Sequence, residues 1–251
     1  MTLDEAVELA QNGDLQACKA LSDYYINQDK MFDALPYVEI LAQSGDDASY
    51  GTLALLYSMH GMASKDIFGV ASDNALNDSE KELYWANKSG QDDLINRAKQ
   101  HLGECFYAVA EYKESEEHYI KAYNTLVDTI EINDEKKYDI IWALAADKLI
   151  DLGYNVPEEI HVKRVSIYID ALNNRHSLIS DNNSKVYVAS AIRNLGFACL
   201  VGDGTDKDEN AAYSVFFILK NDLGIICQHS DTEMDILDKF HRGNDGRYYW
   251  T

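Results

Sequence analysis

Two places in the chain hold residue types able to do chemistry. His101 and Cys105 lie four apart, a spacing that turns both side chains to one helix face and could bring two ligands to one metal. No second pair with ligand spacing accompanies them, and a half-buried helix face is the better account of the two. The segment GDGTDKDEN, Gly202 to Asn210, puts Asp203, Asp206 and Asp208 in one loop. Calcium needs six or more oxygens, and an EF-hand loop carries glycine at position six and glutamate at twelve. Counted from Asp203, position twelve here is Ser214, so the run reads as a loop and an acidic helix start. His118, His161, His176, His229 and His241 are scattered singly, and spacing assembles no triad from them. No H-E-x-x-H, G-x-x-x-x-G-K-[ST], G-x-S-x-G or post-strand G-x-G-x-x-G occurs. The sequence therefore predicts no catalytic residue, no metal ligand and no cofactor site.

The elements that would position these residues are betrayed by an internal repeat. LAQNGDLQACKALSDYY, Leu9 to Tyr25, aligns with LAQSGDDASYGTLALLY, Leu41 to Tyr57, at an offset of 32, with seven of seventeen positions identical. Gly13 and Gly45 each follow an apolar helical stretch, where a glycine just past the helix end takes the left-handed conformation. Leu21 and Tyr25 match Leu53 and Tyr57, four apart on one helix face. The same step returns as Leu102 and Phe106, as Leu195 and Cys199, and weakly as Ile236 and Phe240. Thr2 with Glu5, Ser79 with Glu82 and Ser230 with Glu233 have capping-box spacing. Pro36 and Pro157, the only prolines, fit first turns. Periodicity and caps predict about twelve helices, over 3–11, 14–27, 31–43, 47–60, 80–89, 92–109, 113–131, 134–152, 157–173, 184–200, 208–220 and 232–242.

AIRNLGFACLVGDGTDKDENAAYSVFF, Ala191 to Phe217, resembles a Sel1-like repeat: a small residue, Leu-Gly, a G-x-G loop, an aspartate and a second helix opening on alanine. YWANKSG, ending at Gly90, is similar to the close of a Sel1 second helix. HLGECFYAVAEYKESEEHYIKAYN, His101 to Asn124, resembles a tetratricopeptide (TPR) unit. The resemblance covers roughly 1–60, 79–124 and 186–243. It implies an all-α fold, a right-handed α-solenoid of antiparallel helix pairs, in one domain over 1–251. Residues 1–60 would hold the first two repeats, 61–78 an inserted loop and 79–124 the third and fourth helix pairs. Divergent pairs would fill 125–185, Sel1-like repeats 186–243, and the tail 244–251 would cap the last pair with its aromatic side chains. Stacked pairs leave a concave face lined by the first helix of each pair, and in TPR proteins that face binds extended peptides or partner helices. In this register the lining is Lys19, Asp23, Arg97, Gln100, Glu104, Tyr107, Arg193 and Phe197.

Composition narrows the partner. Of 251 residues 43 are acidic and 22 basic, a net charge of −21 that repels phosphate backbones and anionic lipid and favours a basic partner. The four cysteines form no C-x-x-C pair and sit in apolar runs, as small buried hydrophobes do in a reducing compartment. The N-terminus lacks a basic-then-apolar leader, and no apolar run reaches membrane-spanning length. Seventeen tyrosines serve core and interface alike. The expectation is a cytoplasmic, non-catalytic scaffold, a monomer or weak dimer, holding a protein or peptide on its concave face. The alternative is a bacterial immunity-type inhibitor whose acidic surface neutralises a basic toxin or nucleic-acid-binding enzyme.

Overall fold

The structure is a computed structural model and describes residues 2–63, 73–130, 135–227 and 235–251. Among these the fold is all-α but for one terminal hairpin. The helices are α1 (Leu3–Gln11), α2 (Leu15–Ile26), α3 (Met31–Gln43), α4 (Asp47–Ala63), α5 (Asp73–Ser89), α6 (Asp92–Lys113), α7 (Glu116–Leu126), α8 (Lys136–Asp151), α9 (Glu158–Asn173), α10 (Arg175–Leu178), α11 (Asn182–Val201) and α12 (Glu209–Leu223). No helix among the described residues is long and apolar enough to cross a membrane. The chain divides into two compact units, Met1–Glu114 and Ser115–Thr251, and the division falls inside the stretch that resembles one TPR unit. At the division Glu114 closes α6 in the left-handed conformation, φ +50°.

In the first unit each helix packs on the next, and α4 also reaches α6. The repeated segments fold alike. The amide of Gly13 donates to Ala10 O at 2.9 Å and that of Asp14 to Leu9 O at 3.0 Å. Thirty-two residues on, Gly45 donates to Ala42 O and Asp46 to Leu41 O, both at 3.1 Å. This is the same Schellman closure twice, and it needs the positive φ that both glycines adopt, +85° and +93°. Leu21 and Leu53, the matched residues, are fully buried, each contributing roughly 1.5–3 kcal/mol of burial. Among the described residues small clusters follow one another along the unit. Ala6, Ala10, Cys18, Leu21 and Leu41 join α1, α2 and α3, while Ala34, Val38, Leu53, Leu56 and Tyr57 join α3 to α4. Ala54, Ala86 and Ala98 then seat α4, α5 and α6 closely.

The second unit is centred on α8, in which every residue from Tyr138 to Ala146 is buried. A helix buried all round lies inside, and α7, α9 and α11 all pack on it. The stretch 125–185, which shows the repeat least clearly in sequence, thus supplies the middle of this core. After α12 the chain makes a 3₁₀ turn over Ile236–Lys239, then β1 (Phe240–Arg242), which pairs antiparallel with β2 (Tyr248–Trp250). The hairpin turn forms at Asp245-Gly246, with Gly246 at φ +82°. Strands this short are marginal alone; β2 lies on α12, where the Tyr248 ring stacks on Tyr213 with centroids 3.5 Å apart.

Several expected boundaries are corrected. The helix expected over 232–242 is a 3₁₀ turn and a strand from Ile236 on, so Ile236 and Phe240 do not share a helix face; residues 232–234 lie outside those described, as does the Ser230–Glu233 cap. The loop expected over 61–78 is helical at both ends, to Ala63 and from Asp73, with 64–72 outside the described residues. Ser79 is therefore no cap: it sits mid-helix and its hydroxyl donates to Ala75 O at 2.9 Å. Pro36 falls in the second turn of α3, not the first. Thr2 and Glu5 do form a capping box, and Pro157 does stand at the start of α9.

Candidate functional site

The eight residues expected to line one face meet different fates. Lys19 and Asp23 are exposed on α2. On α6 Arg97 is half-buried, but Gln100, Glu104 and Tyr107 are buried. These three are a correction: α6 is enclosed from Leu102 through Tyr107, so no side of the helix is open there and the register of Leu102 and Phe106 selects no free face. Arg193 and Phe197 are exposed on α11, and the structure adds two residues to them. Val186, Arg193, Phe197 and Val201 recur at steps of seven, four and four, within one narrow arc of the helix. Val186 is 60 % exposed and Val201 71 % exposed, values that make this an open apolar stripe around a single guanidinium.

What holds α11 in place is a buried polar network that the sequence did not reveal. Asp147 on α8 accepts from Tyr168 Oη at 2.5 Å and from Asn194 Nδ2 at 2.6 Å. Arg164 on α9 is enclosed and forks between Asp147 and Asp203. Asp203, in the loop after α11, also lies 2.5 Å from His161 Nδ1. The network thus ties α8, α9 and α11 to the α11–α12 loop. Gly204 makes the loop's approach possible, since a Cβ there would stand 2.1 Å from the His161 carbonyl oxygen. Burial pushes the Asp147 carboxyl up against the opposing pull of Arg164, Tyr168 and Asn194. Burial pushes Asp203 up too, but the His161 hydrogen bond and the Arg164 charge outweigh it and hold it below the ordinary range. Tyr168 is raised by its burial and by the Asp147 charge. With Tyr168 and Arg164 enclosed, the network acts by positioning. The signal for it was the His161, Arg164, Tyr168 spacing on one face of α9; the acidic loop pointed to a cap, and Asp208 does cap α12, accepting from the amides of Asn210 and Ala211 at 3.0 Å.

In the first unit, buried Glu82 on α5 places both oxygens 3.1 Å from His101 Nδ1, with Ser58 Oγ 3.3 Å from the same nitrogen. The composition is that of a Ser-His-acid triad, but the geometry is not. A relay needs the hydroxyl and the carboxylate on opposite ring nitrogens, and here both meet Nδ1. Cys105 Sγ lies 3.3 Å from Ser79 Oγ. Among the described residues no group of three or more His, Cys, Asp and Glu converges on a point.

Fold and surface define the chain as an all-α protein of two helical units with an open apolar stripe on α11. Compared with known proteins, no family model matches the chain and no curated protein matches it.

Proposed function

We propose that this protein is a non-catalytic interaction scaffold of the Sel1/TPR-like kind, a right-handed solenoid of antiparallel helix pairs, and that it binds a segment of another protein along the exposed face of α11. The observation that carries the reading is the stripe itself: Val186, Phe197 and Val201, with Arg193 among them, are large side chains left at least partly open on a helix that Asn194, at the flank of the stripe, ties to a buried polar network. Aromatic and arginine side chains are the usual anchors of protein interfaces. The twin Schellman turns and the helix-by-helix clusters of the first unit support the repeat architecture. The net charge of −21 supports a partner that is apolar where it meets the stripe and basic on its flanks.

The test is the double substitution Val186→Glu with Val201→Glu. Both side chains are mostly exposed, so the melting temperature is expected to stay within a degree or two. A partner captured from the native host by the unsubstituted protein, then purified, should bind the variant at least tenfold more weakly. Equal affinity for both proteins rejects this face as the seat of binding.

A further inference from the structure

A second site, independent of the α11 face, is open in the first unit. A cleft of about 460 Å³ lies between the end of α2, the start of α3, α4 and the first half of α6. Ile26, Met31, Leu55 and Met59 form apolar walls, and Arg97 and His101 stand at one end. Leu55 and Met59 are 40 % and 42 % exposed, so the walls are open surface and not core. The volume suits a small molecule, and the two methionines can adapt to its shape.

The polar end is where the ligand class is written. Glu82 is committed to His101, with both oxygens on Nδ1. Arg97 has only a distant share of it: its Nε lies 3.9 Å from Glu82 Oε1, beyond hydrogen-bond reach, and is a buried donor with no acceptor among the described residues. The side chain is 38 % exposed in the cleft wall. An arginine held beside an apolar slot with its donor fork unspent matches a planar carboxylate, which it can grip through two parallel bonds. A phosphate dianion fits less well, because it would bring two charges to one guanidinium that already has a carboxylate 3.9 Å away. We propose that this cleft binds a small amphiphile, an aliphatic body carrying one carboxylate, with the carboxylate on Arg97 and the chain between Leu55, Met59, Ile26 and Met31.

Calorimetry with three probes of equal chain length, decanoate, decanol and decylammonium, tests the assignment. Decanoate is expected to bind at least tenfold more tightly than decanol. Decylammonium is the stringent control, because the net charge of −21 draws a cation to the molecule as a whole. In Arg97→Gln the preference for decanoate should vanish while decanol affinity stays within twofold. Equal affinity for decanoate and decanol in the unsubstituted protein, or tighter binding of decylammonium, overturns the carboxylate. No heat with any probe at millimolar concentration overturns the site. Should Arg97→Gln fail to fold, the methyl resonances of Leu55 and Met59 in the unsubstituted protein decide. A shift with decanoate larger than with decanol supports the proposal, and equal or absent shifts refute it.

Discussion

Arg164 is the charged hub of the buried network in the second unit. It is buried and holds two carboxylates from different elements, Asp147 on α8 and Asp203 on the α11–α12 loop. Replacing it with methionine fills the space but leaves the more deeply buried carboxylate, Asp147, without its counter-charge. Arg164→Met is expected to lower stability by about 3–5 kcal/mol in urea denaturation, and adding Asp147→Leu to recover part of that loss, because an apolar pair costs less than a lone buried charge. Glu104 makes the parallel case on α6. It is 6 % exposed, so Glu104→Lys should cost at least about 2 kcal/mol of stability, visible as an earlier urea midpoint with unchanged slope. Register placed Glu104 and its neighbours on a face, yet register only says which residues share a side of a helix. Whether that side is open depends on what packs there, which is non-local. Arg193 and Phe197, two residues either side of Leu195, came out exposed, and Gln100 and Glu104, two either side of Leu102, did not.

Among the elements, the terminal hairpin shows where local pattern reaches its limit. Ile236 and Phe240, four apart, mimic a helix face; the chain instead extends because Tyr248–Trp250 offers a strand partner and Tyr213 a ring to stack on. Side chains of α12 hold the tail as well, Glu209 accepting from the Trp250 amide at 3.0 Å and Asn210 from the Tyr248 amide at 3.2 Å. Removing residues 246–251 loses these bonds with the Tyr213–Tyr248 and Phe240–Trp250 ring contacts, each pair worth about 0.5–1.5 kcal/mol, and should lower the melting temperature by about 4–8 °C in a calorimetric scan. An unchanged melt would show that the hairpin contributes nothing to the unit beneath it. Helices with end signals were legible: the Gly13 and Gly45 turns close α1 and α3, and the acidic run at Asp208 starts α12, within a residue or two of the expected bounds. A further closure of the same kind, Gly153 donating to Ile150 O and Tyr154 to Leu149 O, both at 2.9 Å, lay unread at Leu152-Gly153, where the residues around it do not match the repeat. The early start of α5 was missed because Asp73–Asp78 carries too few apolar residues to show a period, while its helix is fixed by packing of Ala75 against Cys105 and Val109.

For the molecule as a whole, acid is the revealing variable. Asp181, Asp203, Asp222 and Asp235, all in the second unit, ionise more readily in the folded chain than the ordinary 3.8. For Asp181 the Ser184 amide is the chief cause, for Asp222 the Arg175 hydrogen bond; for Asp235 the Lys220 hydrogen bond prevails over burial. Carboxyls lowered in this way stabilise the fold at neutral pH, and that stabilisation drains away as the pH falls below 3.8 through their folded values. Asp147 works in the opposite sense, since its raised carboxyl is relieved by protonation, but it is one group against these four, and Glu117, Glu209 and Asp245 are lowered with them. Hydrogen exchange, corrected for intrinsic rates, should therefore show α9, α11 and α12 losing protection at pH 3 relative to pH 6; unaltered protection would mean that these pairs are energetically idle.

The four thiols, finally, give the protein a practical property. Cys18, Cys105, Cys199 and Cys227 are buried, and burial pushes the thiols of Cys18, Cys199 and Cys227 up, away from the reactive thiolate. A maleimide offered to the folded chain should thus find no native target. One cysteine introduced at Val201, 71 % exposed at the end of the α11 stripe, would then carry a fluorophore alone and report directly whatever settles beside it.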